Sequence, residues 1–473
     1  MSFFKKSAWI APVICIVFVS SIPSKSSAIP YFARKYKTTC SRCHYAVPKL
    51  NTFGKNFQMH GYQQPGDEKA NKIEFPEDKN LSLPETVPVA FLMENQLALD
   101  RAAGNKSNNS IQSTTVFHIF AADSIAPDVG FFGELADQGG VTDIGKISLI
   151  FSHLGNQNIF GQVGNLDPTE HGVTEHDMIG RNGYGIQDMG LGSFGSPYTL
   201  NAQHMGVRVY GLIGSGVTPD LIHAKPSGGD TAKPAAPDAK PDAGRPLRLS
   251  DPQKKGKKAK SDDDEDKDEV DPMDRLTGFL WEVGLYNSTN LSSGLPTQSV
   301  DPGPSDYQAR VNMYFNGDSF IGVAGYSGLQ SIAGVPGAFG PANRYQMVGP
   351  DFSYYFGKPF KKVEGVMLKP FNLIGGYLTG QVDNPFGTGQ QVAFNGYFTE
   401  LDYALSPRSM CFLRYDKVNS NSLGAFMPGA IVEGITADYT YYFRTNFWLG
   451  VEYTHDLTST KQDMLGVLFD FAF

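Results

Sequence analysis

The chain holds only four cysteines in 473 residues, too few for a scaffold stapled by disulfides. It has no run of 18 consecutive apolar residues, which excludes a membrane-spanning helix. Basic residues are outnumbered, 40 against 48 acidic, for a net charge of −8, so the electrostatic footprint of a nucleic-acid binder is missing. Tryptophan is scarce at three, yet phenylalanine and tyrosine number 33 and 22, beside 52 glycines. Such a composition suits strands and turns rather than helices.

The first residues read as an export signal. Lys5 and Lys6 precede an apolar run from Ala8 to Val19, and Ser26-Ser27-Ala28 supplies a small-residue cleavage site, so 1–28 is expected to be removed. Cys15 leaves with it. Cys40, Cys43 and Cys411 remain, and only the first two are close in sequence.

Those two stand in "TTCSRCHYA" (38–46), a Cys-x-x-Cys-His motif. The spacing is that of c-type haem attachment. Two thiols from one short turn add to the haem vinyl groups, and the next side chain, His44, becomes the proximal iron ligand. A redox dithiol would be expected beside a βαβ pattern, without the adjoining histidine. In "PKLNTFGKNFQMHGYQ", Leu50, Phe53 and Phe57 fall at helical spacing and form an apolar stripe suited to one porphyrin face. His60 continues the stripe and is the preferred sixth ligand, with Met59 the alternative; both also fit an ordinary turn before Gly61. Arg34, Lys35, Lys37, Arg42, Lys49 and Lys55 crowd the motif. They suit haem propionates, an acidic redox partner or simply a solvated face.

From Val89 to Phe473 the pattern changes to short period-2 runs between Gly/Asn/Asp/Pro-rich connections, an all-β body. Phe447, Leu449, Val451 and Tyr453 alternate with Gly450, Glu452 and Thr454. One face is apolar and aromatic and the other polar, over strands of about ten residues. That combination predicts a transmembrane antiparallel β-barrel with a polar lumen and aromatic girdles. Sixteen candidate strands can be laid out: 89–99, 113–123, 128–137, 146–154, 159–166, 202–213, 278–288, 307–317, 319–328, 346–357, 371–382, 392–406, 409–418, 430–443, 446–456 and 463–473. An even count puts both chain ends on the periplasmic side. Connections after odd strands are mostly long and those after even strands mostly short, as outer-membrane barrels require. The stretch 225–271, with Pro/Ala/Lys repeats, a lysine block and "SDDDEDKDE", cannot bury a core and is expected to be a disordered insertion. Cys411 faces lipid on this layout as a small apolar side chain.

The stretch "PYFARKYKTTCSRCHYAVPKLNTFGKNFQMHGYQ" resembles the fused cytochrome-porins of iron-oxidising bacteria. Phe32-Ala33-Arg34 precede the haem motif, and Pro48, Leu50-Asn51, Gly54, Phe57 and Gly61-Tyr62 follow it. The resemblance implies a haem segment (29–79) fused to an outer-membrane barrel (89–473), with one haem c on Cys40, Cys43 and His44. It also implies electron transfer across the outer membrane, from extracellular Fe(II) or another donor to a periplasmic cytochrome or copper protein. It gives no distal ligand and does not explain 225–271. Because one haem cannot bridge an apolar band of about 25 Å, the segment is expected to plug the lumen. In the connection 167–201, Glu170, His171, Glu175, His176 and Asp177 offer oxygen and imidazole groups that suit ferrous iron, although their spacing matches no closed site. An uptake channel with a structural plug, outward electron flow and a tethered haem enzyme are the competing readings.

Overall fold

The computed structural model describes residues 30–64, 72–101, 109–126, 128–138, 141–174, 177, 179, 183–189, 200, 203–214, 272–274, 276–290, 306–316, 318–330, 343–358, 369–383, 390–421, 433–444, 446–458 and 463–473. The export signal, the 225–271 insertion, Glu175 and His176 lie outside the described residues.

Sixteen antiparallel strands close into one barrel. They are β1 (Val89–Arg101), β2 (Asn109–Ala126), β3 (Val129–Gln138), β4 (Val141–Phe151), β5 (Ile159–Leu166), β6 (His204–Ile213), β7 (Gly278–Asn290) and β8 (Asp306–Phe315), followed by β9 (Ser319–Gln330), β10 (Asn343–Phe356), β11 (Phe371–Val382), β12 (Val392–Ser406), β13 (Ser409–Ser420), β14 (Glu433–Arg444), β15 (Phe447–Asp456) and β16 (Asp463–Ala472). β16 pairs with β1, Val467 opposite Leu97, so no edge strand is left.

Alternation fixes which side of the wall each residue faces. On β8, Gln308, Arg310 and Asn312 are buried in the lumen, while Tyr307, Val311 and Met313 are 57, 54 and 43% exposed on the outside. The same outward exposure of large apolar side chains recurs on every strand from β3 to β16, a belt that only lipid can cover. Aromatic rings gather where it ends: Tyr354, Phe356, Phe371 and Tyr403 stand in sequence with centroids 5.6, 5.1 and 4.6 Å apart. At the same end Phe91 stacks on Phe473 at 5.2 Å.

Strand boundaries follow the sequence layout closely, with one exception. β4 begins at Val141, so residues 139–140 alone join it to β3. This is a short connection after an odd strand, where the parity rule expects a long one. A register shift lies between Gly133 and Leu135, and such an irregularity breaks the alternation that would reveal the first turn of β4.

Ahead of the barrel come α1 (Pro30–Tyr36), a tight turn over Cys40–Arg42, a small ladder pairing His44–Ala46 with Lys49–Leu50, and α2 (Thr52–Met59). A separate hairpin, Lys72–Phe75 with Asp78–Pro84, leads into β1.

Candidate functional site

The segment from Pro30 to Gln63 fills the barrel end that carries Val89 and Phe473. Its partners come from around the wall. Arg34 donates to the carbonyl of Val89 on β1 (2.7 Å) and Lys35 to Asp123 on β2 (2.7 Å). Asn56 donates to the carbonyl of Met273 ahead of β7 (2.9 Å), and Tyr210 of β6 to that of Met59 (2.7 Å). Tyr45 stacks on Tyr355 of β10 (4.6 Å), Lys49 pairs with Asp402 of β12, and Tyr442 of β14 donates to the carbonyl of Val47 (3.1 Å). The segment is therefore seated inside the ring as a plug.

The basic residues near the motif act in this seating. Lys35 and Lys49 are buried against barrel carboxylates, Arg42 pairs with Asp274 at 2.7 Å, and Lys55 with Asp177 at 3.6 Å. Only Arg34 and Lys37 of the six are exposed. Buried lysines need such partners, since an unpaired charge in this setting is strongly unfavourable.

Within the plug, Asn51 organises the motif. Its side-chain oxygen caps α2 by accepting from the amide of Gly54 (2.9 Å), and its amide group donates to the carbonyls of Ser41 and Arg42 (3.1 and 3.0 Å). Gly54 allows the helix to lie on the motif, because a Cβ there would stand 2.1 Å from the carbonyl oxygen of Cys43. Among the described residues no disulfide joins Cys40 to Cys43. Burial pushes the Cys43 thiol up to about 12, the reverse of the depressed thiol of a redox Cys-x-x-Cys pair. His44 donates from Nδ1 to the carbonyl of Pro48 (2.9 Å), which fixes the tautomer with its lone pair on Nε2. A backbone carbonyl behind Nδ1 is the usual support of a metal-ligating histidine. These residues fit a c-type haem: two adjacent thiols on one turn, and an imidazole oriented with Nε2 as its coordinating atom.

The predicted apolar stripe faces aromatic neighbours. Phe53 and Phe57 bury with Tyr62, Ile150 and Met273, and Phe32, Tyr36, Cys43 and Phe132 pack against them. Met59 lies in the lumen core with Phe160 and Tyr210. His60 is fully buried and sits beside His153 and Phe160, centroids 5.7 and 5.0 Å away. Burial holds its imidazole neutral, lowering it to about 3.

From the other end, the connection after β5 turns inward. Glu170 pairs with Lys146 of β4 and Arg208 of β6, and His171 with Glu282 of β7. The amide of Val173 donates to Asp351 of β10 (2.9 Å). A short helix, α3 (Gly185–Met189), packs on β12 and β13, where Tyr184 stacks on Phe398 at 3.9 Å. The inward loop meets the plug directly, since Gln58 donates to Glu170 (3.2 Å) beside the Lys55–Asp177 pair. Glu170, His171 and Asp177 are thus engaged separately, and among the described residues no group of three or more His, Cys, Asp or Glu is arranged to hold a metal. The wall partners Asp123, Asp402 and Glu282 carried no local sequence signal.

The anion-selective porin from Comamonas acidovorans matches the structure with a TM-score of 0.51 at 11% identity, covering 82% of this chain and 99% of that one. The chain folds as an outer-membrane porin. OprB of Pseudomonas putida matches with a TM-score of 0.49 at 10% identity, covering 81% of this chain and 94% of that one. OmpF of Salmonella typhi gives 0.47 at 11%, covering 81% and 97%. No protein-family model matches the chain, and no curated protein matches it. The porin barrel thus places the protein in the outer membrane, where short turns face the periplasm, and the plug occupies the periplasmic end.

Proposed function

We propose that this porin barrel is an electron-transfer protein of the outer membrane, carrying one haem c on Cys40 and Cys43 with His44 as proximal ligand. When bound, the haem supplies a one-electron couple. The observation that carries the reading is the Cys-x-x-Cys-His turn with His44 anchored to Pro48, held inside a barrel end by buried ion pairs. The protein's own residues fix the plug to the wall and set the histidine tautomer. Joining plug and barrel in one chain keeps the site at the pore at high effective concentration. Extracellular Fe(II) is the donor this reading favours, with a periplasmic cytochrome or copper protein as acceptor, which makes the protein an iron:cytochrome oxidoreductase.

The porin fold itself favours a second reading, a solute channel with a structural plug. One titration separates the two. The purified protein is followed by visible spectroscopy under controlled potential while Fe(II) is added to the oxidised form. A covalent haem reduced by Fe(II) supports inward transfer. A haem that Fe(II) leaves oxidised points to outward flow, and no covalent haem together with solute conductance in planar bilayers establishes the channel.

A further inference from the structure

His60 and His153 meet at the seam between plug and wall. His60 ends α2 and donates from Nδ1 to the carbonyl of Asn56 (2.7 Å). Its Nε2 is buried with no hydrogen-bond partner among the described residues. His153 stands in the turn after β4, 5% exposed, and donates from Nδ1 to Asp128 in the turn between β2 and β3 (2.9 Å). Both rings therefore have Nδ1 tied to an oxygen, which in the neutral imidazole puts the lone pair on Nε2, the state that binds a metal. The carboxylate of Asp128 behind His153 adds the outer support typical of such ligands. Two imidazole nitrogens sharing one metal at about 2.0–2.1 Å set their ring centroids roughly 5–6.5 Å apart, depending on the angle at the metal. The observed separation is 5.7 Å.

We propose that His60 and His153 form a two-histidine site for one transition-metal ion, separate from the Cys-x-x-Cys-His motif, which pins the plug to the barrel rim. Imidazole nitrogen selects among copper, zinc, iron and nickel. Two neutral nitrogens whose rings both pack on Phe160 match a cuprous ion best, because a single charge loses least on leaving water. Asp128 supplies the opposing charge through His153. The site also accounts for the buried Nε2 of His60, which has no hydrogen-bond partner among the described residues.

The test is a competition titration of Cu(I), buffered by a chromogenic chelator, against the purified full-length protein, with Zn(II) in parallel. One equivalent of Cu(I) beyond the haem iron is expected. His60→Ala and His153→Ala should each abolish it, and Asp128→Asn, which keeps both ligands, should weaken it about 10–100-fold. Removing the metal should speed proteolysis of the plug while the barrel keeps its heat-modifiable migration. Preferential retention of Zn(II) keeps the site and overturns the choice of copper. The site itself is overturned if no Cu(I) or Zn(II) is retained, or if His153→Ala binds as wild type with its plug still protected. It is equally overturned if His60→Ala turns a low-spin haem high-spin, which would assign His60 to the haem iron.

Discussion

Replacing Lys49 by methionine isolates one buried ion pair between plug and wall. Lys49 is fully buried, and its partner Asp402 is 1% exposed. Without the ammonium, Asp402 keeps a long contact from Asn372 at 3.4 Å and faces the buried carboxyl of Glu400, and one of its oxygens already lacks a partner among the described residues. Breaking a buried pair from one side costs about 3–5 kcal/mol, because the remaining charge stays desolvated. Assigned to docking, that is roughly two to three and a half orders of magnitude in the equilibrium between seated and released plug. The barrel itself, held by sixteen ladders, should be unaffected. The assay is limited proteolysis of the folded protein in detergent, with bilayer conductance as a second readout, since a released plug opens the periplasmic end. Lys49→Met should be cut rapidly in the plug and should leak. Lys49→Met/Asp402→Leu should recover much of the protection, because an apolar pair of similar volume removes the stranded charge. A single variant as protected as wild type, or a double variant worse than the single, would refute the reasoning.

Three further expectations can be checked. His44→Ala should leave haem attached through Cys40 and Cys43 but change its spin state, whereas Cys43→Ala should abolish full covalent attachment; visible and pyridine-haemochrome spectra distinguish them. Gly130→Ala should unseat the plug with the barrel intact, because its Cβ would lie 2.0 Å from the carbonyl oxygen of Gly61; a protease-resistant plug in that variant contradicts the packing. His171 is lowered to about 4, first by burial and further by Arg208 and Lys146, against the opposing pull of Glu282. Its folded value thus lies below the unfolded value of about 6.5, so the inward loop is most stable above pH 6.5 and loses that stability as pH falls toward 4. Loop proteolysis measured from pH 7 to 4 should rise in the wild type and be flatter in His171→Gln.

Most of the barrel was legible in the sequence because lipid on one side and a polar lumen on the other impose a two-residue period, and burial alternates without a break along Phe447–Asp456. The first residues of β4 were hidden where Gly133 and Leu135 bracket a register shift, although the Gly139-Gly140 pair was a turn signal that could have marked the hairpin. The Cys-x-x-Cys-His turn was legible because its residues are contiguous in the sequence and fixed in spacing. What holds the plug was not. Lys35 and Lys49 read as surface charge until Asp123 and Asp402, 88 and 353 residues away, are brought to them. The inward fold of 167–174 likewise depends on Lys146, Arg208 and Glu282 from three different strands. Long-range ion pairs leave no periodic trace.

The ring of plug contacts also orders the birth of the protein. Arg34, Lys35, Tyr45, Val47 and Lys49 bind strands from β1 through β14, so the seat is complete only after nearly the whole chain has inserted. Cys40 is then 6% exposed, beyond the reach of a large modifying enzyme. Whatever is attached to that cysteine must be attached while the segment is still loose in the periplasm, before β16 meets β1. On the proposed haem attachment, maturation and membrane insertion would not be independent events: a chain that closed early would be sealed in its unmodified form.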